Sequence, residues 1–411
     1  MPTCLLGVDI GTSGIRIAAV DAAGVCHWQE QQSYDARVQA GHGQQRPQYW
    51  WRAFTQLLKA QSDARRADIA GICIAGTSGS VLLVDKAGIP TSPAFMYSYH
   101  PPETADNPTV APHIQLAGFN RARALQQVHP GMAFTPVDWF VYRLTQIRCT
   151  DYNNALKSGY DPIENDWPDS LIQSFPEHCP PLVAPGTRIG RITSKMAAAM
   201  GLNESLWVHA GTTDSMAALS ASGVSQPGVG VTSLGSTLAL KLISHQPVFC
   251  QQSGVYSHRF GDVFAISGAS NTGGAVLRQN FTDAQLPTLS SRLAPNMADT
   301  LGYWPLPGRG ERFPVFEPQM APRLTPKPDD PALFLQGIFH GFARIEALGY
   351  QRFSQLGAPA LTQVFSSGQM AKNPVLHQLR QHYLAVPVSA VEAAIPAVGA
   401  GLLGWSMGAG E

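Results

Sequence analysis

The chain has 411 residues, of which 44% are hydrophobic and only 14% charged, with 28 Lys plus Arg set against 28 Asp plus Glu. That length exceeds what one ordinary core fills, so two domains are expected, and the balanced charge lacks the clustered basic residues that nucleic acid or an anionic membrane requires. A small molecule is the expected partner.

In chain order, strands are predicted over 4–9, 15–20 and 25–29, an antiparallel meander. Between the first two lies Gly11-Thr12-Ser13-Gly14, with Asp9 at the strand end. Glycine lets backbone N–H groups approach an anion, the hydroxyls add donors, and the carboxylate can anchor a hydrated magnesium ion. The same residues also suit an ordinary hairpin turn. A helix follows over 47–59, with Tyr49-Trp50-Trp51 read as core and surface packing, and then a buried strand over 69–74. That strand ends in Ala75-Gly76-Thr77-Ser78-Gly79, whose hydroxyls suit either a turn or the lining of a polar pocket. The Pro-, Asn- and Asp-rich region from 101 to 185 reads as an insertion that shapes a substrate cleft.

A strand over 206–210 runs into Gly211-Thr212-Thr213-Asp214, ahead of a small-residue helix over 215–222. Asp214 fits two roles, a cap on that helix or a carboxylate within reach of an acceptor hydroxyl in phosphoryl transfer. Two strands within 230–243 are joined by Ser233-Leu234-Gly235-Ser236-Thr237, an echo of the first turn. The copies lie about half a chain apart, which points to a duplicated domain and not to a short repeat. Further on, Ser366-Ser367-Gly368 leads towards a helix over 375–384. There Asn373 is either the cap before Pro374 or an amide at a nucleotide. The apolar stretch 393–405 is too short to span a bilayer and reads as a buried terminal helix. Six scattered cysteines and the histidines at 42, 100, 209 and 340 lack metal-ligand spacing, so reduced thiols are expected. The N-terminus shows no secretory pattern, which makes the cytoplasm the expected location.

Taken in order, Gly7-Val8-Asp9-Ile10-Gly11-Thr12-Ser13, Ala210-Gly211-Thr212-Thr213-Asp214-Ser215, Thr232-Ser233-Leu234-Gly235-Ser236-Thr237, Gly310-Glu311-Arg312-Phe313-Pro314 and Ala371-Lys372-Asn373-Pro374 resemble the motifs of the FGGY carbohydrate kinases. The resemblance covers nearly the whole chain. It implies an α/β, two-lobed actin, Hsp70 and sugar-kinase (ribonuclease H-like) fold, with duplicated lobes at 1–224 and 225–411 around a central cleft. It also implies ATP and Mg2+ as cofactors, with Asp214 as the catalytic base and Asp9 holding the metal through water. The sugar would meet Asp9, Ser13, Gly14, Ser78 and Asp214. The nucleotide would meet Gly11, Thr12, Ser13, Arg16, Gly235, Ser236 and Thr237, with Ser367, Gly368 and Asn373 on the adenosine side. One departure stands out: the usual glycine pair of the adenosine motif is Ser367-Gly368 here.

Within the family, the short length and Ile74 to Gly79 look most like the compact D-ribulose kinase branch related to xylulokinases. That branch implies conversion of D-ribulose to D-ribulose 5-phosphate. D-xylulose, or another pentulose or polyol, is the alternative substrate, and a catalytically silent nucleotide-binding sensor is the rival from another class. The expected partners are the sugar and ATP, with no nucleic acid and no membrane, for a monomer or homodimer.

Overall fold

The first strand, β1 (Cys4–Ile10), is buried along its whole length because it runs inside a sheet covered on both faces. The computed structural model describes residues 3–102, 107–294, 298–391 and 395–408. On one side of β1 lie β2 (Gly14–Val20) and then β3 (Cys26–Ser33), each antiparallel to its neighbour. On the other side β4 (Ile69–Gly76) runs parallel. With β5 (Arg188–Arg191) and β6 (Trp207–His209) the order is β5-β6-β4-β1-β2-β3, and β7 (Thr212–Thr213) also pairs parallel with β4. Gly211 lets β6 and β7 share that partner, since a Cβ there would lie 2.0 Å from the Ile74 carbonyl oxygen.

Alternation along β1 sends Leu6, Val8 and Ile10 to one face and Leu5, Gly7 and Asp9 to the other. The first face packs on Trp50, Phe54 and Leu58 of the helix Pro47–Lys59 and on Trp139 and Phe140 of the helix Pro136–Thr145. The second face is covered by the helix Asp214–Ala221 and the terminal helix Pro396–Gly408, through small residues such as Ala217, Ala397 and Ala400. These contacts are close. A Cβ on Gly7 would lie 1.7 Å from the Ala397 carbonyl oxygen, and one on Gly399 would lie 1.8 Å from that of Ala217. Trp405 Nε1 donates to the Val20 carbonyl at 2.8 Å and pins the helix to β2.

The described chain forms two units, one comprising the residues up to Gly223 with the terminal helix, the other running from Val224 to 391. This differs from the sequence expectation at the chain end. The terminal helix, assigned there to a second domain spanning 225–411, packs in the first unit because its glycine and alanine face matches Gly7 and Ala217. Positions 393 and 394 of the helix expected over 393–405 lie outside the described residues. Among the described residues no helix is long and apolar enough to cross a membrane.

In the second unit β8 (Val229–Leu234) is antiparallel to β9 (Leu238–Ser244) and, across its other edge, parallel to a later strand. With β10 (Tyr256–Phe260), β11 (Val263–Ser270), β12 (Gln363–Ser367) and β13 (Val388–Ala390), the order is β10-β11-β9-β8-β12-β13. The run β11-β9-β8-β12 thus repeats β3-β2-β1-β4, so the echo between the two turns extends to the strands that carry them. The helices Pro331–Gln355 and Pro374–Leu384 pack together in this unit's core. A fully buried ion pair joins them: Arg380 donates to both oxygens of Glu346 at 2.6 and 2.7 Å, and Thr232 Oγ1 of β8 donates to Glu346 Oε1 at 2.5 Å.

Replacing one partner of that pair leaves a buried charge alone, so Arg380→Met is expected to cost about 3–5 kcal/mol, read from the urea midpoint. Adding Glu346→Leu should restore most of the loss. Gly7→Ala is expected to cost at least about 1–3 kcal/mol by overpacking the terminal helix, measured in the same way.

Candidate active site

The turn after β1 is closed by the Gly11 N–H, which donates to the Gly14 carbonyl at 3.0 Å. Gly14 is held to glycine by the neighbouring strand, because a Cβ would lie 2.6 Å from the Gln32 carbonyl oxygen. Buried Gln45 fastens the turn from beneath: its Nε2 donates to the Thr12 carbonyl at 2.8 Å, while Trp50 Nε1 donates to its Oε1 at 2.8 Å. Thr12 and Ser13 are left exposed on the outer side. Gln45 was not foreseen, since nothing local distinguishes it from its neighbour Gln44.

Asp9 is 2% exposed. Its Oδ2 accepts from Arg16 Nη1 at 3.1 Å, and its Oδ1 has no hydrogen-bond partner among the described residues. Burial, followed by the charge of Asp214, pushes its carboxyl up from 3.8 to about 6, against the pull of Arg16. Strand register explains why Asp214 is felt. Asp9 stands opposite Ala75 of β4, Ala75 stands opposite Thr212 of β7, and Asp214 follows two residues later. Asp214 is the first residue of its helix and not the cap, a position that Thr213 occupies without a side-chain capping bond. Instead Asp214 Oδ1 accepts from the Ser215 N–H at 2.7 Å, at a helix start where negative charge is favoured. The hydroxyl of Tyr34, also unforeseen, is buried near enough to Asp9 that this carboxylate, after burial itself, raises its pKa.

Magnesium fits this arrangement. A buried carboxylate oxygen without a hydrogen-bond partner, repelled by a second carboxylate, is relieved by a cation. Among the described residues no group of three His, Cys, Asp or Glu side chains could hold a metal, so most of the ion's ligands would be water and phosphate.

The loop after β4 is shaped by Arg121, whose guanidinium donates to the carbonyls of Gly79, Tyr97 and Tyr99 at 3.0, 2.6 and 2.8 Å. Thr77 Oγ1 is committed to Ser80 Oγ at 2.9 Å, whereas the buried Ser78 Oγ has no partner among the described residues. Asn153, on a short helix capped by Asp151, donates from Nδ2 to Thr212 Oγ1 at 3.2 Å. It therefore braces the strand that leads to Asp214.

In the second unit Gly235 N–H donates to the Thr237 carbonyl at 3.2 Å, which closes the echo of the first turn. Behind it, Gly274 and Ala275 N–H donate to the carbonyls of Gly235 and Ser236 at 2.9 and 3.1 Å, and Arg278 Nη2 donates to Ser236 Oγ at 2.8 Å. Ser367 pairs in register with Ser233, and Gly368, at φ 95°, passes so close to β8 that a Cβ would lie 2.5 Å from the Leu234 carbonyl oxygen. Asn373 caps the helix Pro374–Leu384, accepting from the N–H groups of Val375 and Leu376 at 3.1 Å each, and its Nδ2 donates to Ser290 Oγ at 2.9 Å. Gly235, Ser236, Ser367 and Gly368 thus come together in one unit, as Asp9, Gly11, Thr12, Ser13, Gly14, Arg16 and Asp214 do in the other.

Residues 4–105 and 119–220 match the N-terminal domain of the FGGY family of carbohydrate kinases. The chain belongs to the FGGY family. Among relatives, a xylulose kinase of Staphylococcus epidermidis is 24% identical over 299 residues, a match covering 66% of this FGGY chain and 59% of the relative. The fold agrees along the whole chain. A ligand-bound xylulose kinase from Lactobacillus acidophilus superposes with a TM-score of 0.82 at 15% identity, covering 98% of this chain and 89% of that one. Plasmodium falciparum glycerol kinase with ADP gives 0.79 at 14% identity, covering 97% and 88%. The FGGY chain therefore has the mixed α/β fold of the two-domain sugar kinases.

The raised pKa of Asp9 makes its ionised form a cost to folding. That cost is fully present above about pH 6 and fades as pH falls towards 3.8. Asp9→Asn is therefore expected to be more stable than the parent by about 3 kcal/mol at pH 8, with the difference gone below about pH 4, in urea titrations across pH.

Proposed function

We propose that the protein transfers the γ-phosphoryl group of ATP to a terminal hydroxyl of a ketopentose, forming a sugar 5-phosphate, with D-ribulose as the substrate. The observation that carries the reading is the juxtaposition of Asp9 and Asp214. One is a buried carboxylate beside a glycine and hydroxyl turn, and the other a carboxylate at the helix start that follows β7, with β4 between β7 and β1. These two acids have different jobs. Asp214 accepts the proton of the attacking hydroxyl, and the turn at Gly11 to Gly14 offers the hydroxyls of its exposed Thr12 and Ser13 to the phosphate. Asp9 would hold magnesium, which when bound would supply neutralisation of the charge that develops on the transferring group. Ser13, Gly14 and Ser78 orient the sugar, and the Ser78 hydroxyl, which lacks a partner among the described residues, is suited to a sugar hydroxyl. Gly235, Ser236 and Thr237 receive the nucleotide phosphates. Ser367 and Gly368 border the adenosine, with Asn373 acting through the helix it caps.

A second reading, with D-xylulose as substrate, is supported by the names of the relatives, several of which are xylulose kinases. A silent nucleotide sensor is disfavoured by the carboxylate at position 214, which a pure binder does not need. A coupled ADP-release assay with D-ribulose, D-xylulose, L-ribulose, glycerol and ribitol separates these readings. Pentulose-dependent turnover that Asp214→Asn lowers by about 10²–10⁴-fold is the expected outcome. ADP release without any phosphorylated sugar would sink the kinase reading.

A further inference from the structure

The two echoing turns differ in how their arginines are used. At the first, Arg16 of β2 is paired with the carboxylate of Asp9, so its charge is largely answered within the protein. At the second, Arg278 reaches from the helix Gly274–Asn280 to Ser236, and its one hydrogen bond there is to a neutral hydroxyl, from Nη2 at 2.8 Å. No carboxylate among the described residues forms an ion pair with it, and the side chain is exposed. An exposed arginine gains little from a single neutral hydrogen bond over full hydration, so this placement has to be explained by something else near the turn.

The turn itself is open. A Cβ on Gly235 would meet nothing nearer than 3.7 Å, which leaves its outer side clear for a ligand, while the bonds from Gly274 and Ala275 fix its back. A planar guanidinium with unused N–H donors, held beside an exposed hydroxyl and an uncrowded glycine, matches the oxygens of a phosphate chain in geometry and charge. We propose that Arg278 binds the phosphate chain of the nucleotide at the Gly235 to Thr237 turn, with Ser236 holding the guanidinium in place beforehand. The inference rests on the nucleotide reading above and adds to it a cation at the second turn.

Calorimetric titration of the full chain with ADP and, separately, with adenosine tests this. Arg278→Ala and Arg278→Gln should each weaken ADP binding by tenfold or more and leave adenosine binding within twofold. Arg278→Lys should recover part of the loss, and raised salt should weaken ADP binding more in the parent than in Arg278→Ala. ADP binding within twofold of the parent in Arg278→Ala would overturn the proposal. So would an equal loss for adenosine, which would make Arg278 a structural brace only. A parent protein that binds neither ADP nor ATP would instead overturn the nucleotide reading itself.

Discussion

Everything in the first unit depends on how closely the terminal helix lies against β1. Gly7 has no side chain because the backbone of Ala397 occupies that space, and Gly399 has none because the backbone of Ala217 does. One helix therefore touches the strand that carries Asp9 and the helix that begins with Asp214. The separation of the two carboxylates is set by backbone packing, which yields far less than side chains do. A site whose acids must act at a fixed spacing gains from that stiffness.

The electrostatic cost of the arrangement is concentrated on Asp9. It is buried and repelled by Asp214, and Arg16 compensates only in part. Buried carboxylates that serve only structure are usually saturated with donors. Glu311 in the second unit is an example, accepting from Ser270, Asn271, Trp304 and Arg312. Asp9 keeps one oxygen without a hydrogen bond among the described residues. The contrast is between a carboxylate with both oxygens engaged in holding a loop and one left short of donors in its burial.

Much of the fold was legible because its signals are local. The hairpins at Gly11 to Gly14 and at Gly235 to Thr237 are written in contiguous glycine and hydroxyl residues between apolar strands, and Pro47 and Pro374 mark helix starts where the structure has them. Asp214 was legible as the residue at a helix start, though the cap position falls one residue earlier. What escaped depends on partners distant in sequence. Gln45 supports a carbonyl 33 positions away, Arg278 reaches a hydroxyl 42 positions away, and the terminal helix finds β1 at the other end of the chain. No periodicity or turn chemistry encodes such meetings. Asn373 shows the reverse case, where a residue that suited a nucleotide amide has both ends of its side chain engaged within its own unit.

The terminal helix also sets the order in which the protein can be completed. A ribosome delivers β1, β4 and the helix that starts at Asp214, then the entire second unit, and only then residues 396–408. Until those residues emerge, one face of the first sheet lacks its cover at Gly7, and the nascent chain carries an apolar surface without its intended mate. The second unit, by contrast, is contiguous in sequence. Maturation of the first unit is thereby postponed until residues 396–408 have been made, and a chain without them keeps Asp9 and Asp214 but not the surface that sets their strands in register.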